Sequence, residues 1–319
     1  MDGSPRIPKS LLEVVHFFQS EARAFEAFRD HRWKDGKVTC PRCESERVHF
    51  MEKQRKWNCN GCRRQFSVKV GTIFEDSPIS LSKWLPALWL VCNAKNGISS
   101  CELARALGVT QKTAWFMLQR LRLGMQETGL VQMGGKGSEV EVDETFIGGK
   151  ARNMHQSKRE KRVNTTSALT GKECVMGFLE RGGKVRTFHV ESRKRKHLQP
   201  YIQEHVKEDT SLYTDAHPSY VLLQQWYRHE FVDHAVSYAE GRVHTNGLEN
   251  YWSLLKRSIR GTYVSVEPFH LFRYLDEQAF RYNERKRTDA ERFALALTKL
   301  SGKRLTYSEL TGKELGCQI

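Results

Sequence analysis

The chain has little that could hold it in a membrane or carry it out of a cell. Its longest apolar run, Trp84 to Cys92, holds nine residues and includes Pro86, where a spanning helix needs about 20. The opening MDGSPRIPKSLLEVV has no apolar core followed by a small-residue cleavage site, so the expected location is the cytoplasm, where disulfides are rare. Acidic residues are also in deficit. Against 52 Lys and Arg stand 37 Asp and Glu, a formal net charge of +15. Such an excess points to a polyanionic partner, and with a cytoplasmic location to association with the nucleoid. Internal repeats and low-complexity tracts are absent. At 319 residues with 39% hydrophobic content, the chain is long enough for roughly two domains with real cores.

Of the eight cysteines, Cys92, Cys101, Cys174 and Cys317 are scattered and read as ordinary thiols. The other four form two knuckles, Cys40-x2-Cys43 and Cys59-x2-Cys62, with fifteen residues between them. Four thiolates at this spacing suit one tetrahedral Zn²⁺ with no open position, which is a structural site. Gly61 is expected to ease the second knuckle's turn. The role of such a ribbon stays open between binding DNA, binding protein and stabilising a small module.

Around this module the periodicity predicts a helix over 9–30, on the spacing of Leu11, Leu12, Val15, Phe18, Ala22 and Phe25. A strand is predicted in QFSVKVGTIF, and helices over 80–125. Within them, SSCELARALGVTQKTAWFMLQRL (99–121) reads as a helix-turn-helix. Leu103, Leu107, Val109, Ala114, Met117 and Leu121 form the inward set, Gly108 supplies the turn and Thr110 caps the second helix. That helix is expected to expose Gln111, Lys112, Thr113, Gln119 and Arg120 to the major groove; an ordinary helical hairpin is the other reading. The Gly-rich VQMGGKGS (131–138) marks a domain boundary.

Beyond it come strands near 139–147, 173–180, 184–191, 211–215 and 230–236, with helices near 196–207 and 218–227. A long helix starts at about 246, and another covers 267–283. Three acids fall at the ends of these elements. Asp143 lies in VEVDETFIGG, with Glu139 and Glu141 on its side of the strand. Asp215 ends the short strand of SLYTDAHPSY, where a capping role is also open. Glu249 follows 34 positions after Asp215 in HTNGLENYWSLLKR, with Lys256 seven residues further on. A strand followed by a three-strand meander, with the second Asp beside the first, is the pattern of a ribonuclease H-like sheet. Carboxylates converging there are a way to hold hard cations. Asn246, one turn before Glu249, competes for the third ligand position, and His244 and Thr245 beside it are candidates for positioning substrate. The basic runs 150–162, 193–196 and Lys256, Arg257 and Arg260 read as phosphate contacts around such a site.

These residues resemble those of bacterial insertion-sequence transposases of the DDE superfamily, in the subgroup with an N-terminal zinc ribbon. The resemblance is carried by CPRC…CNGC, VDETFIGGK, LYTDAHPSY, HTNGLENYWSLLKRSIRGTY and FRYNERKRTDAERF, from about residue 30 to 310. It implies an α/β fold: a ribonuclease H-like mixed-sheet catalytic domain (138–285) preceded by an N-terminal helix (1–34), a zinc ribbon (35–75) and a helix-turn-helix region (76–130), with a tail over 286–319. It implies that Asp143, Asp215 and Glu249, or Asn246 in place of the Glu, ligate Mg²⁺, two ions per site with Mn²⁺ as a substitute. Lys256 would contact DNA near the cut. The implied activity is cleavage of double-stranded DNA at the element's ends and transfer of the strand to target DNA, by a homo-oligomer assembled on the DNA. The competing readings are a nuclease without strand transfer and a catalytically silent DNA-binding regulator.

Overall fold

The computed structural model describes residues 7–149, 171–232 and 243–312. It divides into two compact units, one of residues 1–126 with 284–319 and one of residues 127–283. In the first, the segment predicted as one helix is two, α1 (Leu11–Phe18) and α2 (Glu21–Arg32). Ser20 is extended at the start of α2 and interrupts the run. The ribbon is a three-stranded antiparallel sheet of β1 (Val48–Met51), β2 (Lys56–Cys59) and β3 (Gln65–Ser67). Its centre is Trp57, which stacks on Phe25 of α2 and Phe66 of β3 at ring separations of 5.6 Å each. β3 is shorter than predicted. The chain turns after Ser67, and Gly71 at φ +74° ends any extended run. Val68, Ile73 and Phe74 are still buried, but from a turn.

The four ribbon thiols lie within 4.8 Å of one another. Cys40 and Cys62 Sγ are 3.8 Å apart, and Cys43 and Cys59 Sγ 3.5 Å. Sulfurs on a tetrahedral zinc with bonds of about 2.3 Å stand about 3.8 Å apart, so the set fits the ion. The Cys62 amide, aimed at Cys59, favours that thiol as thiolate, while the proton the thiols share is held on Cys43, whose pKa is pushed up. Gly61 matters for space here. A Cβ on it would lie 2.9 Å from Ser45 Cβ.

Three helices follow: α3 (Leu81–Asn93), α4 (Ser100–Leu107) and α5 (Gln111–Met125). A Ser99–Glu102 capping box starts α4, Gly108 ends it at φ +59°, and Thr110 caps α5. Gln111 and Lys112 are exposed, and Thr113 is half-buried. Arg120 and Gln119 are not available. Arg120 is 5% exposed, and its Nη1 donates to the carbonyls of Ile73 and Glu75 at 3.0 and 2.6 Å. The predicted surface arginine is therefore a buried clamp, because α5 turns that face toward the 73–75 turn.

The second unit is a five-stranded sheet of β4 (Glu139–Ile147), β5 (Glu173–Glu180), β6 (Val185–Val190), β7 (Ser211–Asp215) and β8 (Arg228–Val232), in the order β6-β5-β4-β7-β8. The first three pair antiparallel, and β7 and β8 add parallel to β4. This is the ribonuclease H-like arrangement. One face packs against α6 (Arg195–His205), through Val140, Val142, Met176 and Phe178 with Leu198 and Ile202. The segment predicted as helix 218–227 is instead two 3₁₀ turns, Pro218–Tyr220 and Leu223–Gln225. Leu222, at ψ 2°, breaks the path between them. The other face packs against α7 (Asn246–Ser258) and α8 (Leu271–Asn283), through Val175 and Leu179 with Leu248, Trp252 and Leu255. After Ser258, α7 widens into a π turn over Ile259–Tyr263. Residues 284–312, predicted as a tail, belong to the first unit. There α9 (Asp289–Thr298) buries Phe293 against Phe18 and Trp89, and α10 (Tyr307–Thr311) follows.

Two stability measurements check this account. Arg120→Ala strips the charged donor from two carbonyls and should cost about 2–3 kcal/mol in urea unfolding, whereas Lys112→Ala should change it by less than about 0.5 kcal/mol. Protein purified without added zinc should return about one zinc per chain, and Cys59→Ser should lose both the metal and the ribbon's fold. A Cys59→Ser protein that kept both would refute the site.

Candidate active site

Alternation along β4 decides which face each acid takes. Val140, Val142 and Glu144 point to the α6 face, and Glu141 and Asp143 to the α7 face. Parallel pairing of β4 with β7 is in register from Glu139↔Ser211 to Glu141↔Tyr213, which carries Asp215 to the side of Asp143. Asp143, Asp215 and Glu144 each bring a carboxylate oxygen within 4.8 Å of the others.

Asp143 is fixed by a gap in β5. Its antiparallel partner is Gly177, and a Cβ there would lie 2.6 Å from the Trp252 ring. The missing side chain lets Trp252 of α7 lie flat on the sheet, where its Nε1 donates to Asp143 Oδ2 at 2.9 Å. Burial raises the Asp143 carboxyl to about 6 against the pull of this bond, and the charges of Asp215 and Glu249 push it the same way. Asp215 is half-buried. Its Oδ1 accepts from the His217 amide at 3.2 Å, and its Oδ2 lies 3.5 Å from Arg193 Nη2.

Glu144 is a site residue that the sequence motifs do not single out. Burial raises its carboxyl to about 8, with Asp215 adding to the rise. The Tyr220 hydroxyl faces it and opposes the rise. A signal for it does exist: strand parity places Glu144 in the apolar layer of Val140 and Val142, where a carboxylate needs a reason.

Glu141, on the same side of β4 as Asp143, is 1% exposed. It caps α7 from across the sheet. Thr245 makes no side-chain cap, and Glu141 Oε2 instead accepts from the Leu248 amide at 3.0 Å. Gly247 makes room, since a Cβ there would meet that oxygen at 2.7 Å. Arg181 braces the same corner, donating from Nε to Glu141 Oε1 at 3.1 Å and from Nη2 to the His244 carbonyl at 2.9 Å. Thr245 is buried, and His244 leans on Arg181 and Glu141, so both hold the start of α7.

Glu249 and Asn246 are exposed on the first turn of α7. Glu249 bears on Asp143 through its charge and is not within the 4.8 Å cluster. Lys256 is half-buried. Burial and Arg260 lower its pKa, and Asp143 raises it. Arg257 and Arg260 are exposed further along. Residues 150–162, the first predicted basic run, lie outside the described residues. Chemically, three close carboxylates with little solvent fit one hard divalent cation, and an acid on the adjacent helix turn is placed to bear on it.

A mixed sheet whose acids meet where β4 runs parallel to β7, beside a helix bearing another acid, defines the ribonuclease H-like class of DNA-processing domains. The model of the ISXO2-like transposase domain matches residues 133–283, and that of the transposase zinc-ribbon domain residues 19–65. The chain is 33% identical over 101 residues to an uncharacterized transposase-like protein of Haemophilus influenzae, covering 31% of this chain and 81% of that one. It is 28% identical over 255 residues to an uncharacterized protein in transposable element ISH50 of Halobacterium salinarum, covering 76% and 84%. No solved structure matches it. The chain belongs to the ISXO2-like transposases with an N-terminal zinc ribbon. Among the described residues no helix is long and apolar enough to cross a membrane.

The pH dependence of stability tests Glu144. Its folded-state carboxyl, near 8, keeps a proton that the unfolded chain gives up from about 4.5. Without added divalent cation, stability should therefore fall as pH rises between these values. Glu144→Gln should flatten that fall, leaving the variant more stable than the parent at pH 8 by about 1–3 kcal/mol in urea unfolding. Identical pH profiles would show the carboxyl to be solvated.

Proposed function

We propose that the protein binds the terminal inverted repeats of its element, cuts the DNA there and joins the freed 3′ end to target DNA. The observation that carries this reading is the convergence of Asp143 and Asp215 beside the helix that presents Glu249. Mg²⁺ or Mn²⁺, as a pair of ions, would supply activation of the attacking oxygen and neutralisation of the leaving one. Asp143, Asp215 and Glu249 would hold the ions, with Asn246 as the alternative to the Glu. Trp252 keeps the Asp143 carboxylate in one orientation and covers it from water on the α7 side. Lys256, an ammonium with no lone pair to ligate a metal, meets a backbone phosphate next to the cut, with Arg257 and Arg260 beyond it. Gln111, Lys112 and Thr113 read the repeat from α5. Arg120 is withdrawn from that set, since it is buried. Assembly into a homo-oligomer on DNA and residence at the nucleoid belong to the same reading.

Asp143→Asn and Asp215→Asn should each lower cleavage of a duplex carrying the terminal repeat by at least about 10³-fold, with binding to it nearly unchanged. Glu249→Ala should do the same. Full cleavage by Glu249→Ala, together with inactivity of Asn246→Ala, would move the third ligand to Asn246. Cleavage without joined products would reduce the protein to a nuclease.

A further inference from the structure

Next to the acidic cluster lies an open recess of about 340 Å³ lined by Arg193, Lys194, Arg195, His217, Pro218 and Ser219. Its walls are the loop from β6 into α6 and the turn after β7. Ser219 Oγ donates to the Arg193 carbonyl at 2.7 Å and ties the two together. Three side chains bring formal positive charge, and among the described residues no carboxylate lines the recess. His217 Nδ1 accepts from the Ser219 amide at 3.3 Å, which leaves the Nε2 side of the neutral ring to donate. No side chain caps α6 at Lys194, so the helix start adds its own preference for an anion. Arg193, Lys194, Arg195 and His217 can each donate into this space, while the Ser219 proton is held by the Arg193 carbonyl.

Arg193 stands on the border between the recess and the acids. Its guanidinium lies 3.5 Å from Asp215 Oδ2 and 5.9 Å from the centre of the Phe146 ring. Its Nε has no hydrogen bond among the described residues. A distance of 3.5 Å is a loose pairing, and a side chain with a third of its surface in solvent is free to turn. A divalent cation on Asp215 would make Arg193 a like-charged neighbour, and the recess beside it is the space open to an anion that would receive it.

We propose that the recess is a subsite for a backbone phosphate of the DNA, and that Arg193 leaves Asp215 for this phosphate when a divalent cation binds the acidic cluster. The inference rests on the transposase reading of that cluster. It gives Arg193 two roles: counter-charge for Asp215 without the cation, and phosphate ligand with it. Cation and DNA then support one another. Each relieves the pairing that holds Arg193 away from the other, and the coupling is reciprocal.

The full chain tests this with Ca²⁺, chosen to bind without cutting. In calorimetric titration of DNA-free protein, Arg193→Gln should bind Ca²⁺ about fivefold more tightly than the parent, because no guanidinium has to leave. The salt dependence of binding to a short DNA duplex should steepen in the parent by about one phosphate when Ca²⁺ is added. That steepening should vanish in Arg193→Gln and return in Arg193→Lys. Arg195→Ala should lower the slope with and without Ca²⁺. Unchanged Ca²⁺ affinity in Arg193→Gln overturns the exchange, and so does a slope that this variant lowers equally in both conditions. An Arg195→Ala slope equal to the parent's overturns the subsite. Thermal unfolding confirms that each variant is folded, and Arg193→Lys keeps the test decisive if Arg193→Gln is not. Failure of the transposase reading looks different: the parent would bind Ca²⁺ through Asp143 and Asp215 yet leave repeat-bearing DNA uncut in Mg²⁺.

Discussion

The catalytic unit depends on how closely one helix lies on one sheet. Two glycines set that approach. Gly177, opposite Asp143, leaves the hollow into which Trp252 fits, and Gly247 lets the first turn of α7 sit against Glu141 and Leu179. A methyl group at either place would meet heavy atoms at 2.6 Å or less, inside contact distance, and push the helix outward. The Trp252–Asp143 bond and the Glu141 cap are formed only at the present separation. The helix that bears Glu249 reaches the acids of the sheet this closely because these two positions carry no side chain.

Electrostatics gives the same corner its character. The chain carries a net charge of +15, yet it assembles three carboxylates within 4.8 Å. Unrelieved, such a cluster takes up protons, and Asp143 and Glu144 are both pushed upward. Trp252 relieves Asp143 with a neutral donor, and Arg193 relieves Asp215 with a charged one. Neither donor neutralises the cluster as a divalent cation would.

Much of this is legible in the sequence. Strand alternation and the meander spacing place β4 to β7 within a residue or so of their observed bounds, and the two CxxC pairs define the zinc set. The misses have a common cause. Residue type marks Arg120, Glu141 and Glu144 as polar and therefore outward, whereas periodicity alone puts Glu144 in the apolar layer. What brings Arg120 inward is the 73–75 turn, and what brings Glu141 inward is the start of α7, 107 residues away. A local pattern does not contain such partners. The break at Ser20 and the 3₁₀ turns after Pro218 escape the sequence for a related reason, since both keep a helical spacing of apolar residues across a non-helical step.

The cap on α7 has a consequence for the order in which the site is completed. Most helices carry their own cap, a residue or two before the first turn. Here the cap is a carboxylate on β4, and the helix that bears Glu249 begins only where Glu141 is already in place. During synthesis β4 emerges well before α7, so Asp143 waits in the sheet for its helix. A chain interrupted anywhere before residue 249 would hold the close acids of the sheet and lack the acid of the helix. Glu249 thus joins the acids of the sheet late, after the zinc ribbon and the α4–α5 pair have left the ribosome.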